Sequence, residues 1–191
     1  MAIPTEMIAG PLTLYVADSG QNFPATFADP PADPWVKLGD SIAEDGVTVT
    51  PSETVNRQKT LDSPRTKKLF RAEDDLELTL TLLDLSASTW ARVMNGAAVT
   101  TQEATGGQPG YRQFTLGRGF NIRYYSLLIR GTSPEDNDLA LEGLARYAYI
   151  GGGESVFIKG ESAGVECNIM LVDDADLGGY MSIREQHEAA A

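Results

Sequence analysis

Residues 75–96 read DLELTLTLLDLSASTWARVMNG, a strand pattern that continues directly into a helix pattern. From residue 76 to residue 82 leucine occupies every second position, with glutamate or threonine between. Side chains alternate across a strand, so this spacing gives one apolar and one polar face. The stretch carries no acid–base pair, nucleophile or set of metal ligands, so its regularity indicates a structural role.

The segment after this strand predicts one short helix over residues 86–95. Ser86 or Ser88 can accept a hydrogen bond from a backbone N–H of the first turn. Asn95 and Gly96 tolerate the left-handed backbone that ends helices, so the helix should stop there. The residues expected on its core side are Trp90, Val93 and Met94.

Chain length and composition predict one soluble domain. A chain of 191 residues should bury roughly 70% of its unfolded surface, which suffices without a disulfide or a metal. The single cysteine, Cys167, fits a reducing cytosol, and its apolar surroundings predict a small buried side chain. No apolar run approaches the ~20 residues of a membrane helix, and a signal-peptide pattern is missing, so we expect no secretion by that route. We assign residues 1–185 to one domain and 186–191 to a frayed tail.

The net charge of −12 is unevenly distributed. Residues 57–71 contain six basic residues and one acidic residue, and residues 111–130 contain four arginines and no acidic residue. Removing these nine net positive charges from the total leaves −21 on the rest of the chain. Such an acidic body repels nucleic acid but attracts the basic segments of another copy, which favours self-association.

Most of the remaining chain predicts strands, separated by loops. The strand patterns lie at 11–17, 46–55, 75–83, 112–117, 121–131, 139–150, 155–162 and 164–174. Residues 22–34 are rich in proline and predict a surface loop. The basic segment 57–71 has weak periodicity and predicts a long loop or arm. Many strands and one helix favour an antiparallel β-sandwich or barrel with a short flanking α-helix.

Few residues can support catalysis. The only histidine, His187, lies in the tail, and no Walker loop, nucleophile elbow or HExxH motif occurs. The adjacent carboxylates Asp74–Asp75 and Asp173–Asp174 fall at strand ends or in loops, where they are ordinarily solvated. An enzyme is therefore the least favoured class, and we predict no catalytic residue, no metal and no cofactor.

One segment, 174–185, partly matches an EF-hand calcium loop. Positions 1, 3, 6 and 12 of that loop are occupied by Asp174, Asp176, Gly179 and Glu185. Position 5 is Gly178, which supplies no oxygen from a side chain, and a strand pattern precedes the segment where the motif requires a helix. An acidic turn is the favoured interpretation, and calcium binding is the alternative.

Residues 118–125, RGFNIRYY, partly resemble the aromatic strand of RNA-recognition domains. The residues that fit are Arg118, Gly119, Phe120 and Tyr125. Residues 121–123 do not fit, and we find no second aromatic strand. Aromatic residues on a buried strand are the simpler explanation.

The basic segment 57–71 has three candidate roles: a solvated charge run, a DNA contact or a docking loop. It carries Leu61, Leu69 and Phe70, apolar residues that a merely solvated loop does not need. We therefore favour docking against an acidic partner surface. The residues expected to dock are Arg57, Lys59, Arg65, Lys67, Lys68, Phe70 and Arg71.

The polar alternation of 46–55 and 75–83 suggests a use for these strands. Such a sheet has one face on a core and the other in water, and its unpaired edges promote polymerisation. Subunits that pair edge to edge can instead close a wide barrel with a water-filled lumen. The candidate lumen-facing residues are Thr48, Thr50, Glu77, Thr79 and Thr81.

The order of elements resembles that of the major tail tube proteins of long-tailed (siphovirus-like) bacteriophages. The resemblance covers roughly residues 10–175 and is one of pattern and element order. It consists of W35-V-K-L-G39, G46-V-T-V-T50 with Glu53, the basic segment, the strand DLELTLTLLD, the helix with Trp90, and LLIRGTSP.

This resemblance implies a β-sandwich with a flanking helix, assembled as six-subunit rings that stack into a tube. Strands 46–55 and 75–83 would form an inner barrel through which DNA leaves the virion, and segment 57–71 would reach the adjacent ring. The protein would be made in the bacterial cytoplasm and reside in the virion tail, away from any membrane. Its partners would be further copies and the tape measure, tail terminator and distal tail proteins. DNA would pass without specific binding, because an acidic lumen does not hold phosphates.

Other functions stay open. A β-sandwich that does not polymerise would bind carbohydrate or a virion partner through exposed aromatic residues, for which Trp35 beside the proline-rich loop is the candidate. A tail terminator or head–tail connector shares the fold but stops at one ring.

Overall fold

The computed structural model describes residues 12–27, 30–38, 41–60, 63–83, 86–95, 99–115, 117, 121–133, 139–156 and 164–186. Within these residues the elements are β1 (Thr13–Asp18), β2 (Val36–Lys37), β3 (Ser41–Thr60), β4 (Ser63–Leu83), α1 (Ala87–Val93), β5 (Thr100–Gln102), β6 (Tyr111–Gln113), β7 (Tyr125–Ser133), β8 (Leu139–Val156), β9 (Gly164–Leu171) and β10 (Ser182–Glu185). The protein is mainly β, with one short helix and antiparallel sheets in a sandwich-like arrangement, which confirms the predicted fold class.

The main sheet is antiparallel and has the strand order β2-β1-β7-β8-β9-β4-β3. Its long strand β8 belongs to both halves, because residues 139–148 pair with β7 and residues 148–156 pair with β9. β10 pairs with residues 141–144 of β8, and β5 pairs with β6 in a separate small sheet. β8 therefore joins a half built from β2, β1, β7 and β10 to a half built from β9, β4 and β3.

The leucine row of β4 sets the core. Three of its four leucines lie opposite fully buried residues of β9, in the pairs Leu78–Ile169, Leu80–Cys167 and Leu82–Val165. Side chains of β1, β7 and α1 join the same cluster, so the two halves of the sheet face each other across it. Full burial of each leucine stabilises the fold by about 1.5–3 kcal/mol.

Helix α1 begins at the first of the two candidate caps. Ser86 has extended backbone, and its Oγ accepts a hydrogen bond from the Thr89 N–H at 3.2 Å, whereas Ser88 lies inside the helix. Asn95 follows the helix with φ of 63°, the left-handed conformation expected at its end.

Helix α1 packs against β8 at Gly152, which has no side chain. Val93 is fully buried, and Trp90 packs partly buried against the same core. A Cβ at Gly152 would lie 3.3 Å from atoms of both Val93 and Met94, so glycine permits the close approach. Trp90, Val93 and Met94 therefore contact the body of the domain, as predicted.

The region around β6 and β7 contains less strand than the sequence predicts. The strand expected at 112–117 is limited to Tyr111–Gln113, and β7 begins at Tyr125. Asn95 explains the second difference, since its amide donates to the carbonyl of Asn121 at 2.7 Å and accepts from the N–H of Arg123 at 2.9 Å. These backbone groups are thus bound to the helix end and not to a neighbouring strand.

Gln186, predicted to begin the frayed tail, is instead bound to β8. Gln186 donates its N–H to the carbonyl of Ala140 at 2.8 Å, and its side chain accepts from the Ala140 N–H at 3.3 Å. Residues 187–191, including His187, lie outside the described residues.

A second, smaller core lies on the other face of β1, β7 and β8. It contains Tyr15, Leu128 and Leu144. Trp35, directly after the proline-rich segment, packs into it, and Phe23 of that segment lies at its border. The predicted surface loop at 22–34 is thus a cover for this face of the sheet.

A buried carboxylate holds this cover in place. Glu142 is fully buried and binds Arg130 Nε through Oε1 at 2.7 Å and Arg184 Nε through Oε2 at 2.5 Å. Arg184 also donates to the carbonyl of Pro24 at 2.7 Å, and its guanidinium lies over the ring of Phe23. Three charges therefore connect β7, β8 and β10 to the proline-rich segment.

Glu142→Gln should destabilise the fold strongly. The substitution removes the negative charge from between two arginines in a buried site, and such a loss typically costs about 3–5 kcal/mol. Urea unfolding followed by circular dichroism measures the change. Glu166→Gln, at an exposed position of β9, is the matched control and should shift the free energy of unfolding by less than about 0.5 kcal/mol. Equal stability of the two variants would contradict the structural role of Glu142.

Cys167 is fully buried in the main core, as predicted. Burial, with a smaller contribution from Glu166, raises the pKa of the thiol to about 12. The thiol should therefore resist a disulfide reagent in mildly alkaline buffer and react promptly in denaturant.

The raised pKa of Cys167 also predicts a pH dependence of stability. The unfolded thiol titrates near ~8.5, so above that pH the folded state retains a proton that the unfolded state releases. The free energy of unfolding should therefore fall as pH rises from ~8.5 toward 12. Cys167→Ala should flatten that part of the pH profile, and an unchanged profile would contradict the assignment.

Candidate functional site

β3 and β4 extend far beyond the rest of their sheet. β9 pairs with β4 only from Glu77 to Leu83, so residues 63–76 of β4 pair with β3 alone. We define the arm as residues 51–60 and 63–76. At ~3.3 Å per residue, the ten residues of the arm on β3 span about 30 Å. The base of the arm is anchored by Tyr180, whose hydroxyl donates to the carbonyl of Asp74.

The described residues of segment 57–71, predicted as a long loop or arm, lie on the paired strands β3 and β4 and do not form a loop. Asn56 pairs with Phe70 and Gln58 with Lys68. Register shifts occur on both sides of these pairs. Such bulges interrupt the side-chain alternation of a strand, which explains the weak periodicity of the sequence.

Charge changes sign along the arm. The residues near its base include four acids, Glu53, Glu73, Asp74 and Asp75, and six bases lie toward the tip, Arg57, Lys59, Arg65, Lys67, Lys68 and Arg71. Arg71 marks the boundary, because it binds Glu53 at 3.0 Å and Asp74 at 3.1 Å. Arg57 and Lys68 are exposed beyond it, whereas the side chains of Lys59, Arg65 and Lys67 lie outside the described part.

Apolar side chains on the arm are exposed on both of its faces. Val55 and Leu69 lie on the face that continues the core side of the sheet, with 38% and 63% of their surface exposed. Phe70 lies on the opposite face and is 51% exposed. Nothing in the described part of the chain covers them, and exposed apolar side chains of this kind are typical of contact surfaces.

The five candidate lumen residues lie together on the outer face of β3 and β4. Thr48 is opposite Thr79, and Thr50 is opposite Glu77. The rows continue onto β9, where Asn168 lies opposite Thr79 and hydrogen-bonds to it at 3.3 Å. Thr81 lies in the next row, opposite Glu166 of β9. These rows would face a lumen only if several copies of the chain assembled into a ring.

This polar face carries no lysine or arginine between the body of the sheet and the base of the arm, whereas Lys68, farther along the arm, lies on the same face. Its side chains there are those of the alternate positions 48–54 on β3, 73–81 on β4 and 166–170 on β9, and none of them is lysine or arginine. β3 is also the last strand on its side of the sheet as described. An edge of that length can pair with a strand of another chain.

The segment that partly matches a calcium loop forms a turn closed by an ion pair. Asp174 is buried and binds Arg146 at 3.1 Å, and Asp176 binds the same Nη1 of Arg146 at 3.2 Å. Gly179 closes the turn, since its carbonyl accepts from the Asp174 N–H at 3.2 Å. Glu185 lies in β10. Within the described residues, no three acidic, cysteine or histidine side chains are grouped so as to hold a metal ion.

The structure bears on two predictions that involve aromatic residues. Trp35, the candidate aromatic residue for carbohydrate binding, is 7% exposed and packs against the sheet. The prediction that Trp35 is an exposed binding residue is therefore wrong. Of the RNA-like segment, Arg118, Gly119 and Phe120 lie outside the described residues. Tyr125 is buried in the main core, as the buried-strand interpretation expects.

Sequence analysis did not predict the Arg130–Glu142–Arg184 cluster or the hydrogen bonds from Asn95 to the backbone of Asn121 and Arg123. One signal was present, because Glu142 is a single carboxylate within the apolar stretch LALEGLARYAYI. A charged residue on the buried side of such a strand requires a partner.

No protein-family model matches the chain, and no curated protein sequence matches it. Among the described residues, no helix is both long and apolar enough to cross a membrane.

Reversing charge at the arm tip should leave the domain folded. Arg57 and Lys68 are exposed, so the double variant Arg57→Glu/Lys68→Glu should change the free energy of unfolding by less than about 1 kcal/mol. Urea unfolding at low protein concentration checks this. A loss of several kcal/mol would mean that the tip is required for the fold itself.

Proposed function

We propose that this protein is a structural subunit that assembles into stacked rings, the tail tube of a long-tailed bacteriophage through which DNA is ejected. The observation that carries the proposal is the polar face on β3, β4 and β9, which has no lysine or arginine from the body of the sheet to the base of the arm and is bounded by a strand edge with no further neighbour in the described sheet. The resemblance in element order supports the same function.

Ring formation would use the edge of β3. Residues 47–50 lie at this edge in the body of the domain, where a strand of the next copy can extend the sheet by backbone hydrogen bonds. Six copies related in this way would close a barrel that leaves no edge exposed. The polar rows at Thr48–Thr79 and Thr50–Glu77 would then line the lumen.

Ring stacking would use the arm. Its length of about 30 Å lets it reach past the body of its own subunit. Its basic tip is complementary to the acidic remainder of the chain, and Leu69 and Phe70 supply apolar surface for the contact. Docking of the tip on a subunit of the adjacent ring would cover both.

The polar face gives the tube a mechanism for DNA transit. Basic side chains would hold phosphates in every ring, and their contributions to affinity would accumulate along the tube. A face that carries Glu77 and Glu166 among threonines provides no such contact. DNA would pass without specific binding, and the tape measure, tail terminator and distal tail proteins would be the other partners.

Negative-stain electron microscopy of the purified protein tests the proposal. We expect tubes or six-fold rings at physiological salt, and we expect Arg57→Glu/Lys68→Glu to yield rings that no longer stack, because its arm repels the acidic partner surface. Arg112→Glu, at an exposed position of β6, is the control for added negative charge and should leave tubes intact.

Three results would contradict parts of the proposal. Particles that stay monomeric at every salt concentration would favour a binding module, and wild-type rings that never stack would favour a terminator or connector. A tube map in which Arg123, rather than Glu77, lines the lumen would contradict the non-binding conduit.

A further inference from the structure

A pocket of about 340 Å³ lies between β1, β2 and helix α1. Its apolar lining includes Val16, Ala91 and Val99. Two guanidinium groups, those of Arg92 and Arg123, also line it. The pocket thus combines an apolar wall with concentrated positive charge, although the chain as a whole is acidic.

A buried hydroxyl adds a hydrogen-bond donor to this wall. Tyr125 lines the pocket with only 4% of its surface exposed, and its hydroxyl has no hydrogen-bond partner in the described part of the chain. Burial raises the pKa of this phenol, and Arg123 and Arg92 lower it by less. The hydroxyl therefore keeps its proton at neutral pH and is available to donate it.

Positive charge exceeds negative charge among the described residues that line the pocket. Asp18 is the acidic residue that lines the pocket, and it binds Arg123 at 3.4 Å with 82% of its side chain exposed. An exposed pair of this length is weak. Arg92 adds a second positive charge from the helix, so the described lining residues carry an excess of one positive charge.

We propose that this pocket binds a small aliphatic carboxylic acid in its anionic form. Guanidinium groups are the side chains best suited to carboxylates, and the Arg92 and Arg123 groups provide two of them. The Tyr125 hydroxyl donates to the same carboxylate, and the alkyl chain lies against Val16, Ala91 and Val99. One excess cation matches a monoanion better than a phosphate dianion. The site does not depend on ring assembly.

Isothermal titration calorimetry with hexanoate tests the site on the intact chain. Hexanoate should bind measurably, whereas hexanol and hexylammonium, which share its alkyl chain, should not. Tyr125→Phe keeps the buried ring and should weaken binding by about fivefold, and Arg92→Gln should weaken it by about tenfold or more. Arg112→Gln, an arginine outside the pocket, should leave the affinity unchanged.

Circular dichroism and sedimentation of each variant keep the result interpretable. Equal binding of hexanol and hexanoate would overturn the proposal, because the pocket would then be a purely apolar groove. The proposal would also be overturned if hexanoate binding were not detectable. It would be overturned too if folded Tyr125→Phe and folded Arg92→Gln bound hexanoate as tightly as the unmodified protein. If Arg92→Gln changes sedimentation but not hexanoate binding, the surface is a subunit contact and the proposal fails.

Discussion

The structure depends on one register, the pairing of β4 with β9 that places the leucine row opposite buried residues. Because strand side chains repeat with a period of two, a slip by one residue would expose the leucines and bury Glu77. Three buried leucines at about 1.5–3 kcal/mol each make that slip prohibitive. The same register places Thr79 beside Asn168 and Thr81 beside Glu166 on the outer face. The register that buries the leucines therefore also places the polar side chains on the opposite face of the sheet.

β3 and the arm follow from this register. β4 fixes β3, and where β9 ends the two strands continue with only each other to pair with. Apolar side chains in that part can add little to the folding of the single chain, because the described body does not cover them. Val55, Leu69 and Phe70 are nevertheless there, with between 38% and 63% of their surface exposed. Their presence is best explained by a surface outside the chain, which is the physical basis for proposing that the arm docks.

The sequence predicted the features that are periodic and local, and it missed those that depend on distant contacts. The alternation of β4, the cap at Ser86 and the burial of Cys167 each follow from a few neighbouring residues. The arm lost its strand signal because register shifts break the alternation. Trp35 was misjudged because no local pattern says that a proline-rich segment folds back on a sheet. The partner of Glu142 on β10 lies 42 residues away, so it was identifiable only from the fold.

Charge segregation gives the proposed assembly a direction. Two bodies of like negative charge repel, but at physiological salt that repulsion is screened beyond ~8 Å. The arm carries its positive tip about 30 Å along the strand direction, so it meets an acidic surface before the bodies approach closely. A chain with the same 27 acidic and 15 basic residues spread evenly would keep the net charge and lose this orientation. The position of the basic residues at the end of a hairpin, rather than their number, is what would make contact between copies begin at the tip.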